Sequence, residues 1–169
     1  MNLLFKIYKA IKWRICFYAT NNLPIKRNSI IMSSYYGREY GDIPKYIAEA
    51  IHELNPCIKI YWVLSEKKYK VSLPDYVKPC LVGTFKYYLR MNTSAIWIDN
   101  CRNSYVSKRK EQLYIQTWHG GGGQKKCELD AIDTISPGYV KTAKKDSCRT
   151  DLMISESKFM TDLYFRSFW

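Results

Sequence analysis

Apolar runs and amphipathic segments alternate along the chain from Asn28 onward. The apolar runs, rich in β-branched and aromatic residues, predict strands at 29–34, 58–65, 77–83, 94–100, 112–118 and 151–155. Apolar residues at helical spacing predict helices at 44–54, 84–92, 137–145 and from 157 to the end of the chain. Pro79, inside the third run, predicts an edge strand or a strand start, because proline cannot donate to a ladder. Strands that alternate with helices predict an α/β domain with a mostly parallel sheet, whose ligands bind beyond the carboxyl ends of the strands.

The first 18 residues carry a different pattern, which predicts a basic amphipathic helix. One face carries Leu4, Ile7, Tyr8, Ile11, Ile15 and Tyr18, and the rest carries Lys6, Lys9, Lys12 and, near the polar boundary, Trp13. Such a helix is typical of proteins that lie on a membrane surface. The lysines interrupt the apolar run well before the roughly 18 residues of a membrane span, and no signal-peptide cleavage site follows. The alternative is that the apolar stripe packs on the domain core. We therefore divide the chain into a helix and linker at 1–27 and a folded domain at 28–169.

Charge narrows the choice of partners. The 169 residues include 27 Lys and Arg against 15 Asp and Glu, a formal net charge of +12. Anionic lipid, phosphate-bearing substrates and nucleic acid are the candidate partners for such a chain. Residues 1–38 contain seven basic side chains and no acid before Glu39. Because this excess lies in the amphipathic segment and no recognition motif is present, we do not expect a nucleic-acid partner.

Cysteine spacing does not favour a metal centre. None of the six cysteines forms a C-x-x-C pair, and neither histidine stands beside a cysteine pair. We interpret the cysteines as reduced thiols of a cytoplasmic protein and expect neither metal nor cofactor.

The stretch YIQTWHGGGGQKK, residues 114–126, carries the candidate chemistry. His119 follows a predicted strand, and Gly120, Gly121, Gly122, Gly123, Lys125 and Lys126 come after it. Glycine N–H groups can approach an anion closely, and lysines add positive charge. A histidine can take or give a proton near neutral pH, so the set fits a phosphoryl-transfer or glycosyl-transfer site. The stretch matches neither a Walker loop nor a dinucleotide fingerprint. The alternative is a structural histidine before a flexible loop, which is the interpretation we give to His52.

Two further residues lie at predicted strand ends on the same side of the sheet. Arg38 could clamp a phosphate or simply be solvated in its loop. Asp99 could contribute to substrate binding by orienting His119, or it could cap a turn.

Several segments, in this order, resemble one family. SSYYGREYGDIPKYIAEAI, SAIWIDN, KRKEQLYIQTWHGGGGQKK, AIDTISPGYVKTAKKDS and DLMISESKF are similar to the CDP-glycerol glycerophosphotransferases of teichoic acid synthesis. The resemblance covers about Ser29 to Trp169, and QTWHG is its most specific part.

The resemblance implies a two-domain glycosyltransferase-B-like fold, of which this chain would be the Rossmann-like, acceptor-side half. It implies a peripheral protein on the cytoplasmic face of the membrane, acting on a lipid-linked acceptor. Under it, His119 is the base for the acceptor hydroxyl, which attacks the glycerol-bearing phosphate of CDP-glycerol, or of a related CDP-polyol, and CMP leaves.

Two departures from the family pattern qualify these expectations. The commoner family form after WHG is Thr-Pro-Leu-Lys-Lys, whereas Gly-Gly-Gly-Gln-Lys-Lys follows here from Gly121, which leaves the acceptor open. The chain also stops at Trp169, inside a predicted helix, where family members continue into a donor domain. We therefore expect a truncated form with little or no transferase activity alone. The alternative is a non-enzymatic membrane-surface remnant or partner subunit.

Overall fold

A computed structural model describes residues 3–68, 73–103, 108–120 and 125–169. Within these ranges the strands are β1 Lys26–Ser33, β2 Lys59–Leu64, β3 Val77–Leu81, β4 Ser94–Asp99, β5 Leu113–Gln116 and β6 Leu152–Met153. The α-helices are α1 Leu3–Asn21, α2 Asp42–Leu54, α3 Phe85–Thr93, α4 Pro137–Ser147 and α5 Lys158–Ser167.

The strands form one sheet in the order β3-β2-β1-β4-β5-β6, and all its strand pairs are parallel. The prediction of an α/β domain with a mostly parallel sheet is therefore confirmed. β3, which contains Pro79, lies at one edge, as its proline predicts. The chain moves outward from β1 to β3 and then returns to add β4 on the other side. The switch point between β1 and β4 is where such sheets bind ligands.

All four helices predicted after Asn28 are present, with boundaries displaced by up to two residues. α2 begins at Asp42, two residues before Pro44. The last helix ends at Ser167, so the prediction that it continues to the end of the chain was wrong. The physical reason lies in Phe168, which adopts an extended conformation and packs its ring against Trp118, with ring centroids 4.6 Å apart.

Both faces of the sheet are covered. Because side chains alternate along a strand, Ile31 faces one layer while Ile30 and Met32 face the other. The first layer includes residues of α1 and α3, and the second includes residues of α2. Trp62 is fully buried in the second layer. Burial of each such large side chain stabilises the fold by about 1.5–3 kcal/mol.

Helix α1 has two apolar faces, of which only one packs on the domain. Trp13 and Phe17 stack on each other and pack against the first layer, beside buried Cys16. Asn92 of α3 donates to the Phe17 carbonyl and to the Thr20 hydroxyl. Trp13 therefore belongs to the packed face.

The predicted apolar stripe lies on the opposite side of α1. Its described members Ile7, Tyr8, Ile11, Ile15 and Tyr18 are all exposed, by 46% to 70%. The alternative that this stripe packs on the core was wrong, because a second stripe about half a turn away makes that contact. The side chains of Leu4, Lys6 and Lys9 lie outside the described part of the chain. None of the helices described has the length and apolar character that a bilayer crossing requires.

Candidate functional site

The segments that follow β1, β4 and β5 converge at the carboxyl edge of the sheet. A 3-10 turn, Tyr35–Gly37, follows β1, Asn100 follows β4, and His119 comes three residues after β5. The amide of Thr117 donates to the carbonyl of Asp99, which continues the β4–β5 ladder toward His119. The parallel topology thus brings together the strand ends that carry the candidate residues.

His119 is held on three sides. Its Nδ1 lies 2.5 Å from the carbonyl oxygen of Asn100. Its ring stacks on Trp118, with centroids 4.7 Å apart, and meets the edge of Tyr35 at 5.7 Å. A carbonyl oxygen only accepts, so Nδ1 carries the proton and Nε2 keeps its lone pair. The histidine is therefore oriented as a proton acceptor through Nε2.

Asn100 connects this histidine to the turn after β1. Its side chain is fully buried, its Oδ1 accepts from the Tyr35 amide at 2.8 Å, and its Nδ2 donates to Asp42 Oδ2 at 2.6 Å. The Tyr35 hydroxyl lies near the carboxylate of Asp42. Burial, and then the charge of Asp42, raise the pKa of Tyr35. Tyr35 therefore remains a neutral donor.

The backbone of this edge is strained. Tyr35, Tyr36, Asp42 and Trp118 all have positive φ, between 46° and 62°. Such conformations cost about 1–3 kcal/mol each and concentrate at functional sites. Trp118 directly precedes His119, so part of this strain sets the direction in which the imidazole leaves the strand.

Asp99 does not orient His119, and the structure favours the turn-capping alternative. Its buried carboxylate accepts from the Cys101 amide at 3.0 Å and lies 3.4 Å from the side-chain amide of Asn103. Burial is the largest cause that raises the pKa of Asp99 to about 8, and the hydrogen bond from Cys101 opposes it. The side chain faces the turn after β4 instead of the imidazole.

Cys101 lies close to the histidine without being activated. Its sulfur is 3.7 Å from His119 Nδ1. Burial, followed by the charge of Asp99, raises the pKa of the Cys101 thiol to about 12. A neutral buried thiol is a poor nucleophile, so it serves as packing beside the imidazole.

A buried ionic network lies beside the turn that follows β4. Arg102 makes two hydrogen bonds to Glu128, at 2.7 and 2.6 Å, and its third nitrogen lies 3.4 Å from Asp146. All three side chains are at most 4% exposed. The Tyr139 hydroxyl also donates to Glu128, at 3.3 Å. The network ties the turn after β4 to α4 and to the segment that follows the glycine run.

The other predicted site residues that the structure describes lie in the segments that follow β1 and β5. Arg38 is exposed in the connection from β1 to α2. Gly120 has a φ of +76°, which favours glycine directly after the histidine. Lys125 and Lys126 are exposed, three and two residues before Glu128. Gly121, Gly122 and Gly123 lie outside the described residues.

Sequence reasoning missed the side chains that organise His119. Asn100 ends a predicted strand and Tyr35 directly follows another, but neither was given a role, and Asp42, Arg102, Glu128 and Asp146 were not singled out. An Asp-Asn pair at the end of a buried strand is a signal for a tight polar turn. It does not identify the partner of the asparagine, which lies 58 residues away in the chain. His52 stacks on Tyr76 at 3.9 Å, which agrees with its structural interpretation.

Comparison with known proteins agrees with this architecture. A profile of the family described as CDP-Glycerol:Poly(glycerophosphate) glycerophosphotransferase matches residues 15–169. A teichoic acid glycerol-phosphate transferase of Staphylococcus aureus is 29% identical over 159 residues, which are 90% of this chain and 40% of that protein. A teichoic acid poly(glycerol phosphate) polymerase of Staphylococcus epidermidis is 27% identical over 150 residues, which are 86% of this chain and 21% of that protein.

Solved structures show the same fold. A structure of the wall teichoic acid polymerase TagF matches with a TM-score of 0.85 at 25% identity, over 98% of this chain and 41% of that one. A variant of TagF soaked with CDPG matches with a TM-score of 0.83. The chain spans between 21% and 43% of the length of the curated relatives it matches. It belongs to the CDP-glycerol:poly(glycerophosphate) glycerophosphotransferase family.

Proposed function

We propose that this chain is the acceptor-side half of a glycerophosphotransferase of teichoic acid or related surface-polymer synthesis. The enzyme would transfer glycerol phosphate from CDP-glycerol, or another polyol phosphate from its CDP derivative, to a hydroxyl of a lipid-linked acceptor. The observation that carries the proposal is the orientation of His119, whose Nδ1 is occupied by the Asn100 carbonyl and whose Nε2 retains its lone pair.

The chemistry follows from that lone pair. Nε2 of His119 takes the proton of the acceptor hydroxyl as its oxygen forms a bond to the phosphorus of the glycerol phosphate group. The bond from that phosphorus to the CMP oxygen breaks, and CMP leaves with the electron pair. Because phosphoryl transfer needs little covalent help, positioning and charge neutralisation supply most of the rate. Arg38, Lys125 and Lys126 are the exposed cations of this edge that could neutralise phosphate charge.

The partial coverage of the relatives bears on activity. Since TagF and the curated relatives are more than twice as long as the segment matched here, we propose that most of the CDP-glycerol site belongs to the part they do not share with this chain. We expect the 169-residue chain alone to release little CMP from CDP-glycerol. Robust CMP release by the purified chain would contradict this expectation.

The base assignment can be tested in a chimera. This chain would replace the matching segment of the S. aureus transferase, and CMP release would be measured with a lipid-linked acceptor. We expect His119→Ala to lower kcat by about 100-fold or more, the usual contribution of a general base. The matched control is His52→Ala, which removes the other histidine of the chain. His52 stacks on Tyr76 and is distant from His119 in the sequence. Equal activities of the two variants would overturn the proposed role of His119.

We also propose that the exposed stripe of α1 holds the protein on the anionic cytoplasmic face of the membrane. Ile11, Ile15 and Tyr18 point away from the domain, and exposed Lys12 and Arg14 flank them on either side of the helix. This arrangement lets the apolar side chains enter the acyl boundary while the cations meet lipid phosphates.

Membrane binding can be measured by co-sedimentation with vesicles of phosphatidylglycerol and phosphatidylcholine. Ile15→Ser should weaken binding by about 10-fold or more, since burial of one isoleucine stabilises by about 1.5–3 kcal/mol. The matched control is Leu54→Ser, because Leu54 is 86% exposed at the end of α2. If both variants bind as the wild type does, α1 is not the membrane contact. Vesicle binding with a catalytically silent chimera would favour the non-enzymatic alternative.

A further inference from the structure

We infer that Asn100 and Asp42 form a positioning pair that fixes His119 in the Nδ1–H tautomer. The consequence for catalysis rests on the proposed function, but the tautomer itself does not.

The first step concerns what holds the imidazole. The acceptor for His119 Nδ1 is the main-chain carbonyl of Asn100, so the position of the ring depends on the turn after β4. The side chain of Asn100 hydrogen-bonds to the Tyr35 amide, at 2.8 Å, and to Asp42, at 2.6 Å. Together with the bond from the Cys101 amide to Asp99, these two bonds hold the turn that carries the Asn100 carbonyl.

The second step concerns which groups around the Asn100 side chain donate hydrogen bonds and which accept them. A backbone N–H can only donate, so the amide oxygen of Asn100 must face Tyr35 and its NH₂ must face Asp42. An ionised carboxylate at Asp42 only accepts, which fits that NH₂. The Tyr35 amide and the Asn100 NH₂ each meet an acceptor, and these two bonds specify the orientation of the Asn100 side chain.

The third step concerns Tyr35, which connects His119 back to Asp42. The Tyr35 ring, whose hydroxyl lies near Asp42, meets the edge of the His119 ring. Contacts therefore run in a loop from Asp42 to the Asn100 side chain, from the Asn100 main-chain carbonyl to His119, and from His119 to Tyr35 and back. Asp42 and Tyr35 both hold positive φ within this loop, at 58° and 46°. Strain of this kind persists where the surroundings over-determine the conformation.

The consequence lies at the ring nitrogen that faces substrate. A histidine without a fixed partner samples both neutral tautomers, and only the Nδ1–H form leaves Nε2 able to accept a proton. Asn100 and Asp42 touch no reacting atom, so they are positioning residues.

The test is a long-range proton–nitrogen correlation spectrum of the nitrogen-15-labelled chain at about pH 8.5, where histidine side chains are neutral. The chemical shifts of the two ring nitrogens give the ratio of Nδ1–H to Nε2–H directly. We expect the wild type and Asp42→Asn to show the Nδ1–H form, because an amide oxygen at position 42 still accepts from Asn100.

Asn100→Asp should lower that ratio by about five-fold or more, the factor that one net hydrogen bond supports. This substitution keeps the oxygen that faces Tyr35 but places a second carboxylate beside that of Asp42, so that the two repel. The double variant Asn100→Asp with Asp42→Asn exchanges donor and acceptor and should restore the wild-type ratio. Asn55→Asp, at the other end of α2, is the control for the added charge.

His52 is the internal reference, since its signals report whether each variant keeps its fold. If Asn100→Asp unfolds the chain, Asp42→Ala replaces it, because Asp42 is only half-buried and its loss removes the same bond. An unchanged ratio in a folded Asn100→Asp or Asp42→Ala variant, or no restoration in the double variant, would overturn the inference.

The chimera separates this inference from the proposed function. Asn100→Asp should lower kcat with little change in KM, and the double variant should recover it. If His119→Ala leaves CMP release unchanged while the tautomer ratios behave as expected, the positioning pair stands and the base assignment fails.

Discussion

The interior of the sheet and its carboxyl edge are built by opposite means. Around β1 and β2 the buried side chains are apolar and fill both faces, with Ile31, Trp62 and Leu64 at most 2% exposed. At the carboxyl edge the buried side chains include Asn100, Arg102 and Asp146, which are polar or charged and almost as inaccessible. The first region gains stability from burial, whereas the second must satisfy each polar atom to avoid a loss.

The backbone differs in the same way. Of the described residues, the non-glycine residues with positive φ are Tyr35, Tyr36, Asp42, Trp118 and Glu128, and each lies outside the strands. The strand interiors contain none of them. The comparison indicates that this fold confines strain and buried charge to the edge that carries His119, and that the apolar layers hold the edge in place.

The largest expected effect comes from breaking the ionic network. Arg102→Met would leave Glu128 and Asp146 buried without their cation, which should lower the free energy of unfolding by about 3–5 kcal/mol at neutral pH. The measurement is denaturant unfolding, with Lys158→Met as the control, since the Lys158–Asp162 pair is exposed and should contribute almost nothing measurable.

The same variant has a distinctive pH dependence. Burial already raises the pKa of Asp146, and removal of Arg102 should raise it further. A raised pKa in the folded state makes stability fall as pH rises above the unfolded value, so the deficit should shrink as pH falls toward about 4. A deficit that is equally large at neutral and acid pH would mean that lost packing, and not unpaired charge, is its cause.

A slightly smaller effect is expected from the apolar region. Leu64→Ala removes a side chain that is 1% exposed and should lower the free energy of unfolding by about 3 kcal/mol through lost burial and a residual cavity. Because no charge is involved, this deficit should be the same at both ends of the pH range used for Arg102→Met. If the stability loss of Leu64→Ala changed with pH, the proposed difference between the apolar interior and the charged edge would be contradicted.

The smallest expected effect is the difference in stability between alanine substitutions at two glycines of nearly equal φ. Gly37, at +77°, is the last residue of the strained turn, and a Cβ there would lie 2.8 Å from the Ser65 amide nitrogen. Gly83, at +79°, has open space around the same position. We expect Gly83→Ala to cost about 1 kcal/mol, from the left-handed backbone alone. Gly37→Ala should cost about 2 kcal/mol or more, because the backbone must also shift. Thermal unfolding of the two variants side by side measures the difference.

The sequence was sufficient for the strands and for the position of His119. Runs such as IYWVL, residues 60–64, have apolar or aromatic side chains on both faces because both faces of a parallel sheet are buried, and this leaves a clear signal. His119 could be placed at the ligand edge because the carboxyl ends of parallel strands share one edge. The contacts of Asn100 with Asp42 and of Arg102 with Glu128 could not be predicted, since they join residues 58 and 26 positions apart whose meeting depends on topology.

Helix α1 shows a second limit of prediction from the sequence. Its periodicity revealed one apolar stripe, and the two interpretations considered were that this stripe meets lipid or meets the core. The contact with α3 is made instead by Trp13, Phe17 and Thr20, a set that mixes aromatic and polar residues and so gives a weak periodic signal. The packed face also meets polar partners on α3, such as Asn92, which the spacing of apolar residues does not identify.

The contact between His119 and Asn100 also limits where the chain can change length. Thr117 donates its amide to Asp99, and two residues later the imidazole donates to the next carbonyl, so the ring occupies the last rung of the β4–β5 ladder. One residue inserted or deleted between Leu113 and His119 would reverse the pleat and carry the imidazole to the wrong face of the sheet. An insertion after Gly120 leaves that register untouched. Related chains should therefore keep the strand-to-histidine spacing fixed while varying the number of residues that follow.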